Sequence, residues 1–463
     1  MSDNRPSEAP GTEHSLKALL LGALVVFLVV GALVALVFLN ARLEDRRLRT
    51  LVVQKLAALK AQGLPVTAEE VARLYPDPPA SEDAGQLLAP AFNALVGAWS
   101  GNLPFVSGAA LPKGAAPMDA AMKEDAKAFV AANAFALQSL PEEWPANARF
   151  ASGFSQGFPR NLAPPLVKIR MLLQTLAVDA VYQAETGNAH GAARSLLNGF
   201  RVSQMLPGGL LVNYMIHRAG HSLTGEALQR TLNRVALSDA QLAYLSRALE
   251  TARTNSIASA LAVERCQAIW AFEEVRAQRN LKELIPTDEL TLLAAVRRFL
   301  RLSPPIYSEA DYLRSLRLMD DFAAAMRLPA GERLKRVDEL QQRANRERQT
   351  LVGSMLLPNW SRAMRVDAEI AARLLLAHTA LAVERYRLAH ADQLPDTLGS
   401  LVPGLLPVVP TDPFDGQSLR YKKVERGYLI YSVGADGLDD GGVEKPPNPS
   451  SEQRYDLPFR VER

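Results

Sequence analysis

From Ala18 to Leu39 every residue is Ala, Leu, Val, Phe or Gly. At 1.5 Å of rise per residue, such a run makes a helix about 33 Å long, enough to cross a hydrocarbon core of about 30 Å. A helix satisfies its own backbone hydrogen bonds, so the pattern predicts a membrane-spanning helix over 16–40 with lipid around 18–39. The competing reading is a secretory signal, whose apolar region runs to about 15 residues and ends in a small-x-small cleavage site. This run is longer, and Leu39-Asn40-Ala41 fits that rule poorly. Ahead of it, residues 1–15 are polar and rich in Pro, Ser and Glu, the pattern of a disordered tail.

Beyond the span, Leu43, Leu48, Leu51, Val52, Leu56 and Leu59 continue a helical apolar stripe among Arg and Lys, and Gly63 sits where a left-handed helix cap is expected. Thr67-Ala68-Glu69-Glu70 reads as a capping box, with Val66 and Val71 placed to staple across it. Pro- and Gly-bearing loops follow at 101–117 and 152–165. From Leu166 to Arg348 the pattern is helix after helix, with Ser238 and Gln241 capping one of them and Pro286 and Pro304-Pro305 as breaks. Helices are expected at 257–278, 288–302 and 308–326, and 331–348 alternates charges like a solvated helix. Leu166–Glu185, the turn Thr186-Gly187-Asn188 and Ala189–Met205 resemble half of a tetratricopeptide hairpin, with Ala180, Ala184 and Ala192 letting two helices approach; no 34-residue repeat is present. The predicted class is therefore mainly α: a helical body over 41–350 and a smaller α+β domain over 360–463.

That last segment opens with a long helix from Ser361 to Ala389, which prolines at 395, 403, 407 and 410 keep from continuing. Leu419-Arg420-Tyr421 and Tyr428-Leu429-Ile430-Tyr431 flank Glu425-Arg426-Gly427 and read as a β-hairpin, followed by the acidic, glycine-rich run 434–442. Glu384-Arg385-Tyr386, Leu394-Pro395, Asp412-Pro413-Phe414-Asp415-Gly416, Tyr421 and Tyr431-Ser432-Val433-Gly434-Ala435-Asp436-Gly437, in this order, resemble the globular head of the major pseudopilin of type II secretion over about 371–440. The segment from Gly63 to Pro76 is similar to that of bacterial single-pass membrane proteins bearing such a tail.

The pseudopilin resemblance implies a head outside the cytoplasmic membrane and a calcium-binding loop, with Ser432, Asp436, Asp439 and Asp440 as the ligands carried over. Calcium takes six to eight oxygens, and clustered carboxylates with glycine-bared carbonyls supply them; a solvated acidic turn is the alternative. The start of the chain departs from that family. The span holds no acidic residue and does not lead directly into the pseudopilin-like helix, so processing by prepilin peptidase is not expected.

Composition narrows the class further. With 48% hydrophobic and 22% charged residues, the chain has globular values. A net charge of +3 is too small to imply nucleic acid, and a single cysteine, Cys266, excludes an internal disulfide. Arg5 and Lys17 precede the span, while Arg42, Arg46, Arg47, Arg49, Lys55 and Lys60 follow it; that count favours a cytoplasmic body. Long domains translocate largely regardless of flanking charge, and the resemblance favours export.

Catalytic patterns are sparse. His217 and His221 in His-Arg-Ala-Gly-His share a helix face, as two zinc ligands require, but Arg218 stands where a zinc peptidase needs its glutamate, and Glu226 lies about ninety degrees away around the helix. Phosphate-loop and dinucleotide motifs are absent from the sequence, and Gly153-Phe154-Ser155-Gln156-Gly157 has the Gly-x-Ser-x-Gly spelling of a nucleophile elbow without a strand before it. Cys266 reads as a buried thiol, Ser152–Gly157 as a loop, Glu273, Glu274 and Glu384 as solvated or ion-paired helix acids, and Arg297, Arg298 and Arg301 as one face of an amphipathic helix. The expectation is a non-enzymatic structural or interaction protein, single-pass in the cytoplasmic membrane, with protein partners and with calcium in its head. The alternatives are a metal-dependent hydrolase built on His217 and His221 and a cytoplasmic helical adaptor.

Overall fold

The computed structural model describes residues 12–97, 99–158, 165–206, 208–252, 257–277, 306–347, 350–444 and 454–463. The expected tail up to residue 11, the expected helix over 288–302 with its three arginines, and most of the end of the 152–165 loop lie outside the described residues.

The protein is mainly helical, with one small three-stranded sheet. Helix α1 (Thr12–Ala61) is unbroken for 50 residues, so it begins inside the expected tail and runs past the expected end of the span at 40. It contains the one segment, among the described residues, long and apolar enough to cross a membrane. Its apolar half is bare of protein, with Leu21, Phe27 and Leu28 each more than half exposed. Further along, Val52 and Leu59 are fully buried against the body, Leu48, Leu51 and Leu56 pack beside them, and Lys55 pairs with Asp320. Gly63 then takes the left-handed conformation at φ 72° that ends the helix, and the Thr67–Glu70 box caps α2 (Ala68–Leu74).

The body is built from α3 (Ala120–Ala132), α4 (Leu166–Glu185), α5 (Ala189–Gln204), α6 (Leu211–Leu232), α7 (Asp239–Ala252), α8 (Ile257–Arg276), α9 (Glu309–Ala325) and α10 (Ala330–Arg346). Helices α4, α5 and α6 pack on one another. Ala180, Ala184 and Ala192 are buried where α4 meets α5, and the Asn188 side chain caps α5 at the Gly191 N–H. Thus the expected hairpin forms, joined by the turn at 186–188. Short helical pieces at Ala84–Leu87, Ala89–Ala94, Ala134–Gln138 and Leu351–Met355 fill connections.

Helix α11 (Trp360–Ala389) is different in kind from the helices of the body. Every residue from Leu374 to Glu384 is buried, so this stretch is surrounded rather than amphipathic. It packs on α6, α7 and α10 on one side and on the sheet on the other. The sheet is antiparallel in the order β1 (Arg420–Val424), β2 (Gly427–Ser432), β3 (Leu457–Glu462). Gly427 is required at its turn: its φ is 151°, and a Cβ there would stand 2.0 Å from the Val461 carbonyl oxygen.

Strand β3 was not expected from the pattern, because its pairing with β2 (Tyr428 opposite Val461, Ile430 opposite Phe459) joins segments about thirty positions apart. The hydrophobic core runs without interruption from Leu103 and Leu228 through Trp360 and Leu381 to Tyr428 and Val461. The 350–360 step is therefore no break in packing: α11 belongs to body and head at once. Asn233, just past α6, acts as a further strand for the outer edge of β3. It donates to the Arg460 carbonyl at 2.8 Å and accepts from the Glu462 N–H at 2.8 Å. Replacing it by Ala would leave the Glu462 N–H unpaired and the Arg460 carbonyl with only the Gln229 side chain at 3.5 Å, and we expect Asn233→Ala to cost about 1–3 kcal/mol in urea unfolding; an unchanged midpoint would show that this edge adds nothing.

Candidate functional site

The acidic loop after β2 is organised by a residue outside it. Asp412 is fully buried. Its carboxylate accepts from the backbone N–H groups of Phe414 (3.0 Å) and Val433 (2.8 Å), from the Ser432 hydroxyl (2.9 Å) and from Arg420 (3.2 Å). The Asp412-Pro-Phe-Asp-Gly turn is thereby tied to the start of the loop. The Ser432 hydroxyl is committed to Asp412, and its oxygen accepts from the Gly434 N–H at 3.2 Å.

The three aspartates named from the sequence have separate surroundings. Asp436 is exposed and accepts from the Leu438 N–H at 3.1 Å, a local turn contact. Asp439 accepts from the Gly441 N–H (3.0 Å) and the Tyr431 hydroxyl (3.1 Å) and stands 3.5 Å from Arg420; the Gly441 N–H is the main reason its carboxyl is held below the usual range. Asp440 is half-buried, and its Oδ2 is buried without a hydrogen-bond partner.

Asp456, which sequence reasoning missed, completes the arrangement. It is 1% exposed and accepts from the Gly442 N–H at 2.6 Å and the Asp440 N–H at 3.4 Å. Burial pushes its carboxyl above the ordinary value, and the negative charges of Asp439 and Asp440 push the same way. The loop therefore holds buried carboxylate oxygen in excess of the donors around it, which is the electrostatic condition a cation relieves. Among the described residues, no three His, Cys, Asp or Glu side chains gather at one metal-sized centre, so a cation here needs backbone carbonyls as well. The only signal for Asp456 in the sequence is its place just before the β-prone run 457–461.

The histidine pair lies in the core of the body. His217 is 2% exposed and His221 fully buried. Each ring meets a backbone carbonyl through Nδ1: His217 with Ser203 at 2.7 Å and His221 with His217 at 3.0 Å. The rings meet edge to face with centroids 4.4 Å apart, and His221 stacks on Phe200. Beside them Arg218 pairs with Asp367 at 2.8 Å, and the Tyr214 hydroxyl donates to the same Asp367 at 2.7 Å. Glu226 is exposed, with Ser222 3.4 Å away. The expected helix face is real, but it is turned inward, and no third ligand joins it among the described residues.

The remaining candidates are structural in their contacts. Cys266 is fully buried, its thiol 3.6 Å from the Thr67 carbonyl and pushed by burial up to about 12. Glu384 is 1% exposed and ion-paired with Arg463. Glu273 accepts from Arg276 at 2.8 Å and from Tyr312 at 3.1 Å.

Burial pushes the His217 ring down from 6.5 to about 4. A depressed value in the folded state means that the unfolded chain binds the proton first as pH falls. The ring's contribution is complete above about pH 6.5 and is lost as pH drops towards 4. We expect this ring to account for about 2 kcal/mol of lost stability at pH 5 relative to pH 7, with His221 acting in the same direction. Urea midpoints at both pH values should show His217→Gln flattening part of this loss; identical pH profiles for variant and parent would contradict the assignment.

Compared with models of known families, with characterised proteins and with solved structures, the chain finds no match, so what can be said of its function rests on the chemistry of its own residues.

Proposed function

We propose that this protein is a membrane-anchored structural and interaction scaffold: a tetratricopeptide-like helical body and a pseudopilin-like head, mounted on the outer face of the cytoplasmic membrane, with calcium bound in the head. The observation that carries this reading is α1, which continues from the apolar segment into the core of the body without a hinge. From Leu39 to Leu48, the first residue packed on the body, is nine positions, or about 14 Å of helix. A helix gripped at one end by lipid and at the other by Val52, Leu59 and the Lys55–Asp320 pair holds its cargo at a fixed, short height. That is the build of a mount.

The acidic loop supports the calcium part. Asp440 and Asp456 supply carboxylate oxygens, one of them buried without a partner, and the glycines at 434, 437, 441 and 442 carry no side chain to screen the backbone between them. Hard oxygen donors of this type suit calcium and not zinc. Asp436 and Asp439 are exposed but, like Ser432, are engaged in the hydrogen bonds described above, which a bound cation would have to replace. Calcium is plentiful outside the cytoplasm and scarce within, which ties the loop to export. Arg42, Arg46, Arg47 and Arg49, all exposed beside the span, favour the opposite orientation, and the topology experiment decides between the two.

An alkaline phosphatase reporter fused after Arg463 should be active in a bacterial host. A stable but inactive fusion would sink the export reading and leave a cytoplasmic adaptor. Separately, millimolar calcium should raise Tm by about 2–4 °C, and Asp440→Asn should remove that increment while leaving the calcium-free Tm unchanged or higher. No calcium response in the parent would eliminate calcium from the proposal.

A further inference from the structure

A groove of about 710 Å³ lies between α5, α7 and the loop at 141–146. Its chemistry differs from the rest of the surface. Arg194 and Arg201 line it from α5 and Arg247 from α7, with Trp144 and Tyr244 as its aromatic walls and Glu142 as an acid at its margin. Among the described residues no carboxylate forms a salt bridge with any of the three arginines, although the charge of Arg194 also acts on the buried Asp179.

The groove is also built rather than incidental. The Trp144 indole donates to the Asn198 side chain at 3.0 Å, which fixes the ring. Arg201 donates to the carbonyls of Pro145 (2.6 Å) and Ala146 (3.1 Å), so it holds the loop while its charge stays unneutralised. Arg247 lies over the Tyr244 ring at 4.5 Å, and Tyr244 is 57% exposed. A large aromatic ring is kept at the surface beside a positive charge, a pairing typical of protein recognition sites.

We propose that this groove binds an extended acidic peptide segment of a partner protein. Arg194 and Arg201 are seven positions apart on one helix, about 10 Å along its axis, which about three residues of extended chain span. Because side chains of an extended chain alternate faces, the fitting segment carries Asp or Glu four positions apart on one face, with an apolar or aromatic residue midway between them. Carboxylates reach the arginines as charge-assisted hydrogen bonds, and the apolar residue covers the aromatic walls. A nucleic acid fits less well, because Glu142 would face its phosphates and the whole chain carries only +3. The inference rests on the interaction reading above and specifies the chemistry of the partner.

The test is selection of random heptapeptides on the full chain in detergent micelles, in parallel with an Arg194→Glu/Arg247→Glu variant. Both arginines are exposed, but Arg194 also acts on the buried Asp179, so Tyr244→Ala is the second variant should the charge reversal lower the parent's Tm. The expected result is several-fold enrichment of Asp and Glu at positions four apart, lost in the variant and weakened at least tenfold between 50 and 500 mM salt, as exposed charges require. Selection of neutral or basic peptides, or equal selection by parent and variant, overturns the proposal. So does binding of a single-stranded oligonucleotide through the same arginines without acidic enrichment, which would assign the groove to nucleic acid. Loss of peptide selection alongside an intact calcium response would remove the groove and leave the scaffold reading standing.

Discussion

A carboxylate buried in a helical core cannot remain unpaired, and the position of Glu384 makes the rest of this structure depend on that rule. Removing a charge from water costs several kcal/mol unless a partner goes with it. The partner is Arg463, which also donates to the Val235 carbonyl at 2.8 Å. The end of β3 must therefore return to the body, close to the loop after α6. Asn233 is there to meet the outer edge of β3, and Tyr428 of β2 donates to the Ala380 carbonyl at 3.3 Å. A polar constraint near the C-terminal end of α11 in this way selects one seating of the sheet from the many that an apolar surface alone would allow.

The same logic extends to the membrane side. The Arg276–Glu309 contact at 2.5 Å and the Arg265 and Lys55 contacts with Asp320 tie α8, α9 and α1 together around Tyr312 and Phe272, whose rings stack at 4.6 Å. From apolar segment to sheet, the described parts are linked through packed helices rather than through tethers. Whatever binds the groove or the head would thus be held at a set place relative to the apolar segment, which is what the proposed scaffold role requires.

How much of this was legible in the sequence depended on the range of the interactions. The apolar span, the Thr67 capping box, the Gly63 stop, the α4–α5 hairpin and the β1–β2 turn at Gly427 are set within a few residues, and each was found where the pattern put it. The stripe from Leu43 to Leu59 likewise marked a helix running on to Gly63, but not that Val52 and Leu59 pack into the body, because the residues they meet lie more than two hundred positions away. Strand β3 and Asp456 were invisible since their partners lie far away in sequence. His217 and His221 show the converse error: an i,i+4 spacing reveals a shared face but not whether that face looks to solvent or to Phe200. The groove left no motif at all, because Trp144, Arg194 and Arg247 come from three separate elements.

The claim on which the account turns is that α11 makes body and head a single cooperative unit. Native-state hydrogen exchange on the full chain measures this directly. The amides of α11 around Leu381, of β2 around Ile430 and of β3 around Phe459 are predicted to open with one common free energy and to respond together to denaturant. Strand amides that exchange far faster than those of α11, with their own denaturant dependence, would mean that the head unfolds by itself, and the single-unit account would be wrong.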